Sequence, residues 1–120
     1  MTINEAIQAL DSGMHNAYSR AEKIAWLDRL DRQVKLFLDR YPAAPEFPGY
    51  TPDTPGEQAL LLDSPFDEAY LHYMQGQIHY QNGEFARFNN AISLHSAVMA
   101  AFENHYNRTH MPISGCLRYF

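Results

Sequence analysis

Six histidines in a chain of 120 residues raise the question of a metal centre or a general base. Two imidazoles on a helix reach one metal when they stand a single turn apart, as in His-Glu-x-x-His. Here His72 and His79 are seven positions apart and His105 and His110 five, so neither pair converges on one ion. His95 falls on an apolar stripe and reads as a core or interface histidine. Nucleophilic catalysis needs Cys116 or a serine beside a base and an oxyanion pocket. Cys116 is a lone cysteine near the end of the chain, without a partner for a disulfide or a zinc knuckle, and no Gly-x-Ser-x-Gly turn occurs. Glu68, Glu84 and Glu103 fit helix starts and solvent faces better than a converging acid-base pair. The stretch Pro52-Asp53-Thr54-Pro55-Gly56 lacks the glycines and the following lysine of a phosphate loop. These residues predict no catalytic group, no cofactor and no metal site.

What chemistry leaves over is surface. The segment Asn104-His105-Tyr106-Asn107-Arg108-Thr109-His110-Met111-Pro112 ends a helix with residue types favoured at protein interfaces. It reads equally as an ordinary helix end in which Arg108 and His110 complement the dipole. Phe47 and Tyr50, in a proline-rich stretch, and the aromatic ending Tyr119-Phe120 are the other exposed-contact candidates. The candidate protein interface is thus Phe47, Tyr50, Tyr106, Asn107, Arg108, His110, Tyr119 and Phe120.

The elements that must carry these groups are helical. Thr2 followed by Glu5, then Ile7 and Leu10, forms a capping box opening a short helix that Gly13 ends. Ser19 with Glu22 opens a second helix. In it Ile24, Leu27, Leu30, Val34, Phe37, Leu38 and Tyr41 recur every three or four residues, until Pro42 stops it. Residues 42–65 hold Pro45, Pro48, Pro52 and Pro55, a density that forbids a long helix or a central strand. Phe47, Tyr50 and the apolar run 59–62 should anchor this loop over the helices, and that run has the option of a short strand. Helical spacing resumes after Ser64-Pro65-Phe66-Asp67, with Tyr70, Tyr73, Met74 and Gln77. Asn82-Gly83 breaks it. A last long helix from Glu84 places Phe85, Phe88, Ile92, His95, Met99, Phe102 and Tyr106 on one stripe, for which core packing is expected. A two-residue break between amphipathic helices predicts an antiparallel pair. The fold class is therefore all-α: a small bundle of four helices with the proline-rich loop between the second and third. Residues 1–112 form one domain and 113–120 a C-terminal tail.

Composition narrows the partners. Apolar residues at 46% and charged residues at 19% describe a globular chain. A formal charge of -5 opposes binding through phosphate contacts. The densest basic run, Arg29, Arg32, Lys35 and Arg40, is interleaved with Asp28, Asp31 and Asp39, the pattern of a solvated helix face. Sequence-specific nucleic-acid binding and membrane insertion are not expected, and the N-terminal residues lack the pattern of a secretory signal, which predicts a cytosolic protein.

Several blocks of the chain, taken in order, form a recognisable series. They are Thr2-Ile3-Asn4-Glu5-Ala6-Ile7, Trp26-Leu27, Pro65-Phe66-Asp67-Glu68-Ala69-Tyr70, Asn82-Gly83-Glu84, Arg87-Phe88-Asn89-Asn90 and Tyr106-Asn107-Arg108-Thr109-His110-Met111-Pro112. The series resembles small head-tail connector or DNA-packaging proteins encoded in the structural modules of phages and prophages of Gram-positive bacteria. The resemblance implies a helical adaptor, not an enzyme, that docks on the portal protein in a ring with copies of itself. It would extend the DNA channel and receive the head-completion, stopper or tail protein. Assembly in the bacterial host cytoplasm and a place in the virion neck follow from the same likeness. The alternative is a small helical regulatory or protein-binding adaptor working through the loop and the last helix, which the same resemblance implies is encoded by a prophage.

Overall fold

The computed structural model describes residues 1–110, which form four α-helices in a small bundle. Helix α1 spans Ile3–Gly13. Thr2 Oγ1 accepts the Glu5 amide at 3.2 Å while the Thr2 amide donates to Glu5 Oε1 at 2.9 Å. Two otherwise orphaned amides are thereby satisfied, and Ile3, Ala6, Ile7 and Leu10 turn inward. Helix α2 spans Arg20–Leu38 behind the Ser19 cap, whose hydroxyl accepts the Glu22 amide. It ends before Pro42: the amides of Arg40 and Tyr41 drop back to the carbonyls of Phe37 and Leu38 in tight turns. Tyr41 is still buried, so the apolar stripe outlasts the helix.

Helix α3, Glu68–Gln81, and helix α4, Phe85–Thr109, are joined by a short turn in which Gly83 takes φ of +77°, a left-handed conformation that glycine adopts without strain. The two pack together more extensively than any other pair. A Cβ on Gly76 of α3 would lie 3.1 Å from Ile92 Cδ1 and 3.6 Å from Ala91 Cβ, so the missing side chain lets the helices approach closely there.

Helix α4 departs from the expected core stripe. Of its twenty-five residues only Ala91 and Phe102 are buried. Phe88, Ile92, His95, Met99 and Tyr106 are half-buried, and Phe85 is 59% exposed. Periodicity reports which face is apolar, not how fully the rest of the fold covers it. Here α3 covers one side, and the C-terminal half of α4 meets the end of α2 through Phe37 and Tyr41.

Between α2 and α3 the chain runs without a helix, yet it is fastened at many points. Leu60 and Leu62 are buried. The amides of Ile3 and Asn4 donate to the carbonyls of Gln58 and Gly56, and that of Leu60 to the carbonyl of Met1. Thr2 and Ala59 form an isolated antiparallel bridge, which is all that the strand option at 59–62 becomes among the described residues.

Candidate functional site

The charged face of α2 is where sequence reasoning and structure part most sharply. Asp31 is fully buried, not solvated. Its Oδ2 accepts the Tyr50 hydroxyl at 2.6 Å and the Leu61 amide at 3.1 Å, and its Oδ1 accepts the Tyr70 hydroxyl at 2.6 Å. The Tyr70 hydroxyl in turn accepts the Leu62 amide at 2.7 Å. One carboxylate thus ties α2, α3 and two points of the proline-rich loop, Tyr50 and Leu61, into a single network. Burial raises the Asp31 pKa above the ordinary value of 3.8 against the pull of its three donors, with Asp28 adding in the same direction. Burial and the neighbouring Asp31 likewise push the Tyr50 and Tyr70 phenols far up, so both remain protonated donors.

The rest of that face holds the loop as well. Asp28 Oδ1 accepts the Tyr50 amide at 2.8 Å while its Oδ2 pairs with Arg32. The Arg32 guanidinium lies 5.9 Å from the centre of the Phe47 ring. Lys35 Nζ donates to the Pro45 carbonyl and pairs with Asp39. Gly49, at φ +93°, brings the backbone so close that a Cβ would stand 3.0 Å from Arg32 Nη2. Part of the alternation that reads as a solvated surface is a set of fittings for the loop: Asp28, Asp31 and Lys35 hold it, while Arg29, Arg32, Asp39 and Arg40 stay exposed. A buried Asp between two tyrosines resembles an acid-base group in type. Its oxygens, however, are occupied by protein donors and closed to solvent, so it acts as a clasp.

Beside the clasp lies an open cleft of about 320 Å³. Leu38, Leu61 and Phe102 form its apolar floor, His105 and Tyr106 of α4 one wall, and the loop residues Asp63 and Ser64 an exposed rim. Aromatic rings brace it. Phe66 stands 5.6 Å from Phe102 and 5.5 Å from His105, and Tyr41 4.7 Å from Tyr106, centre to centre. His110 stacks on Tyr106 at 3.7 Å, and the Tyr41 hydroxyl donates to Asn107 Oδ1.

The candidate interface residues fall into separate groups. Tyr50 is inside the fold, its hydroxyl committed to Asp31, so it offers no docking surface. Phe47 is half-buried, edge-on to Tyr50 at 5.0 Å. Tyr106 is half-buried; Asn107, Arg108 and His110 are exposed at the end of α4. Tyr119, Phe120, Cys116 and the rest of the tail lie outside the described residues. Among the histidines, burial pushes the His95 imidazole below its usual value, with the Ala69 carbonyl 3.3 Å away, and His79 meets Glu84 at 3.0 Å. Among the described residues no group of three or more His, Cys, Asp or Glu side chains is placed to hold a metal ion, and no helix is long and apolar enough to cross a membrane.

Asp31, Asp63, Ser64 and Phe66 are the site residues that sequence reasoning passed over. For Asp31 a signal existed: Ile24, Leu27, Asp31, Val34 and Leu38 are spaced three and four apart, so the aspartate fills a core slot of the stripe. For the cleft no local pattern exists, because its walls come from three distant parts of the chain.

With fold and site in view, comparison with protein-family models, with curated proteins and with solved structures gives no match in any of the three.

Proposed function

We propose that the chain is a non-catalytic assembly subunit. In its most specific form this makes it a head-tail connector of a phage or prophage of Gram-positive bacteria. The observation that carries the reading is helix α4, twenty-five residues long with two buried side chains. From Phe88 to Phe102 it contains no Asp, Glu, Lys or Arg. A helix face left to water is ordinarily charged or polar, whereas the outward residues here, Asn89, Asn90, Ser93, Leu94, Ser96, Ala97, Ala100 and Ala101, carry no charge and half of them are apolar. Such a face suits close packing against another protein. Together with the sequence blocks described above, it supports a subunit that docks on the portal in the virion neck, in a ring with its own copies, and receives the next completion or tail protein. The net charge of -5 suits a channel wall that should not grip passing DNA.

The test is negative-stain microscopy of the purified chain mixed with purified portal protein of such a phage. Rings seated on the portal are the expected result. No association and no ring at any concentration would refute the connector reading. A monomer in isolation is compatible with it, since such contacts form by mass action on the assembled portal. The regulatory-adaptor reading instead predicts a single soluble host partner recovered in stoichiometric amount and no portal binding.

A further inference from the structure

We infer that the cleft between the proline-rich loop and the end of α4 is a docking site for a segment of a partner protein that presents one large apolar side chain next to a lysine or arginine. The inference goes beyond the assembly reading and does not depend on the partner's being a portal.

The cleft's volume, about 320 Å³, sits at the small end of the range of ligand pockets, roughly 300–1,000 Å³. It admits a single bulky side chain, not the face of a helix. Its floor is made of Leu38, Leu61 and Phe102, which offer no polar atom to orient a hydrophilic small molecule. An apolar anchor inserted into a pocket with a polar rim is how the energetic centres of protein interfaces are built.

Charge selects the second feature. Among the described residues Asp63 is the only formally charged one lining the cleft, and it is exposed. Among the described residues its carboxylate has no ion-pair partner. Two cations at the end of α2 are engaged elsewhere: Lys35 is held by Asp39 and the Pro45 carbonyl, and Arg40 lies over the Phe37 ring. An incoming cation therefore meets a carboxylate that no described residue neutralises, on a molecule whose net charge of -5 also favours it. Because Asp63 is fixed in a turn by the donation of the Phe66 amide to its carbonyl, the rim keeps its position relative to the floor.

The test is a titration of the ¹⁵N-labelled full chain with three capped dipeptides: acetyl-Phe-Arg-amide, acetyl-Phe-Glu-amide and acetyl-Gly-Arg-amide. Binding in the millimolar range suits probes this small. The Phe-Arg peptide should shift the amides of Leu61, Asp63, Ser64, Phe66 and His105 saturably, and the Phe-Glu peptide should bind about fivefold more weakly, the scale of an exposed ion pair. The Gly-Arg peptide should give no saturable shift. D63N should bring the two Phe peptides within about twofold of each other, and Asp63→Lys should reverse their order. The inference is overturned by any of three results: no saturable shift at these residues with either Phe peptide, equal affinity for the Arg and Glu peptides in the unaltered chain, or an unchanged preference in the lysine variant. Shifts at the same residues on concentrating the protein alone would assign the cleft to a second copy of the chain and overturn it as well.

Discussion

Replacing Asp31 by alanine should be among the most damaging single substitutions in this protein, although Asp31 belongs to a residue type that is rarely fully buried. The substitution leaves the Tyr50 hydroxyl, the Tyr70 hydroxyl and the Leu61 amide without their acceptor. A buried donor left unmatched costs about 1–3 kcal/mol. Three such donors, with partial relaxation at the half-buried Leu61, give a loss of roughly 3–6 kcal/mol against a total stability of about 5–15. In urea, a loss of that size lowers the midpoint by about 1 M or more at the slopes usual for small domains. Asp31→Asn keeps the shape and one acceptor oxygen, so it should cost about half as much. Asp31→Leu combined with Tyr50→Phe and Tyr70→Phe removes both hydroxyl donors along with the acceptor, fills the space, and leaves two unmatched donors, the Leu61 and Leu62 amides, against three in the alanine variant. It should be more stable than the alanine variant despite carrying two further changes. Hydrogen exchange adds a local readout: in the alanine variant the Leu61 and Leu62 amides should lose protection before those of α1. An Asp31→Ala midpoint within about 0.5 M of the parent, or unchanged exchange at those two amides, would refute the clasp. The pH dependence carries a definite sign. In the unfolded chain this carboxyl titrates near 3.8, and burial raises it in the fold. Between those two values the native state holds a proton that the unfolded state has released. The group's contribution is therefore fully present below 3.8 and is lost as pH rises through the native value. Asp31→Asn should remove that component from a stability-pH curve.

Three further expectations can be checked on the same preparations. Asp11 accepts Lys23 Nζ at 2.7 Å, and the Lys23 side chain is only 6% exposed, so Asp11→Ala strands a buried ammonium whereas Lys23→Met removes it. The alanine variant should lose about 1–3 kcal/mol in urea unfolding, and the methionine variant should stay within about 1 kcal/mol of the parent. The hydrogen bond from Lys23 lowers the Asp11 pKa, so this pair's contribution is present above pH 3.8 and is lost as pH falls through the native value, opposite in direction to Asp31. Gly76→Leu should separate α3 from α4 at Ile92 and cost about 1–3 kcal/mol by overpacking, read as a lowered thermal midpoint. Ser93→Glu with Ala100→Glu, both on the exposed side of α4, should change stability by no more than about 0.5 kcal/mol each yet abolish ring formation on the portal if that face is the subunit contact.

Most of the helical architecture was legible because it is written locally. Capping residues at Thr2 and Ser19, the Asn82-Gly83 break and the three-and-four spacing of apolar residues each act within a few positions of themselves, and each defines an element that forms. Less legible was how deeply α4 is covered. Phe85, Phe88, Ile92 and Met99 mark a face, but burial depends on how many neighbours the finished fold supplies, and α4 lies at the outside with α3 as its principal support.

The clasp and the cleft were hidden for a different physical reason. Charged residues within a helix are read by default as solvent-facing, and along α2 that default holds for Arg20, Glu22, Arg29 and Arg32, all exposed. It fails at Asp31 because the cost of burying a carboxylate is offset by donors that lie 19, 30 and 39 positions further on. No window of neighbouring residues contains those donors. What the sequence does contain is a conflict: an aspartate in a core slot of an apolar stripe, followed by a proline-rich segment with a tyrosine and buried leucines but no element of its own. Each half is costly alone, an unsatisfied charge and an unanchored loop, and together they resolve each other. The Asp63 rim belongs to the same solution, since it is the clasped loop that brings the chain back across α2 and holds Asp63 and Ser64 over the aromatic end of α4. It follows that loosening the clasp should weaken peptide binding at the cleft without touching a cleft residue. Asp31→Asn should lower the affinity for acetyl-Phe-Arg-amide under conditions where the chain remains folded, and unchanged affinity there would show that the cleft holds its shape independently of the network beside it.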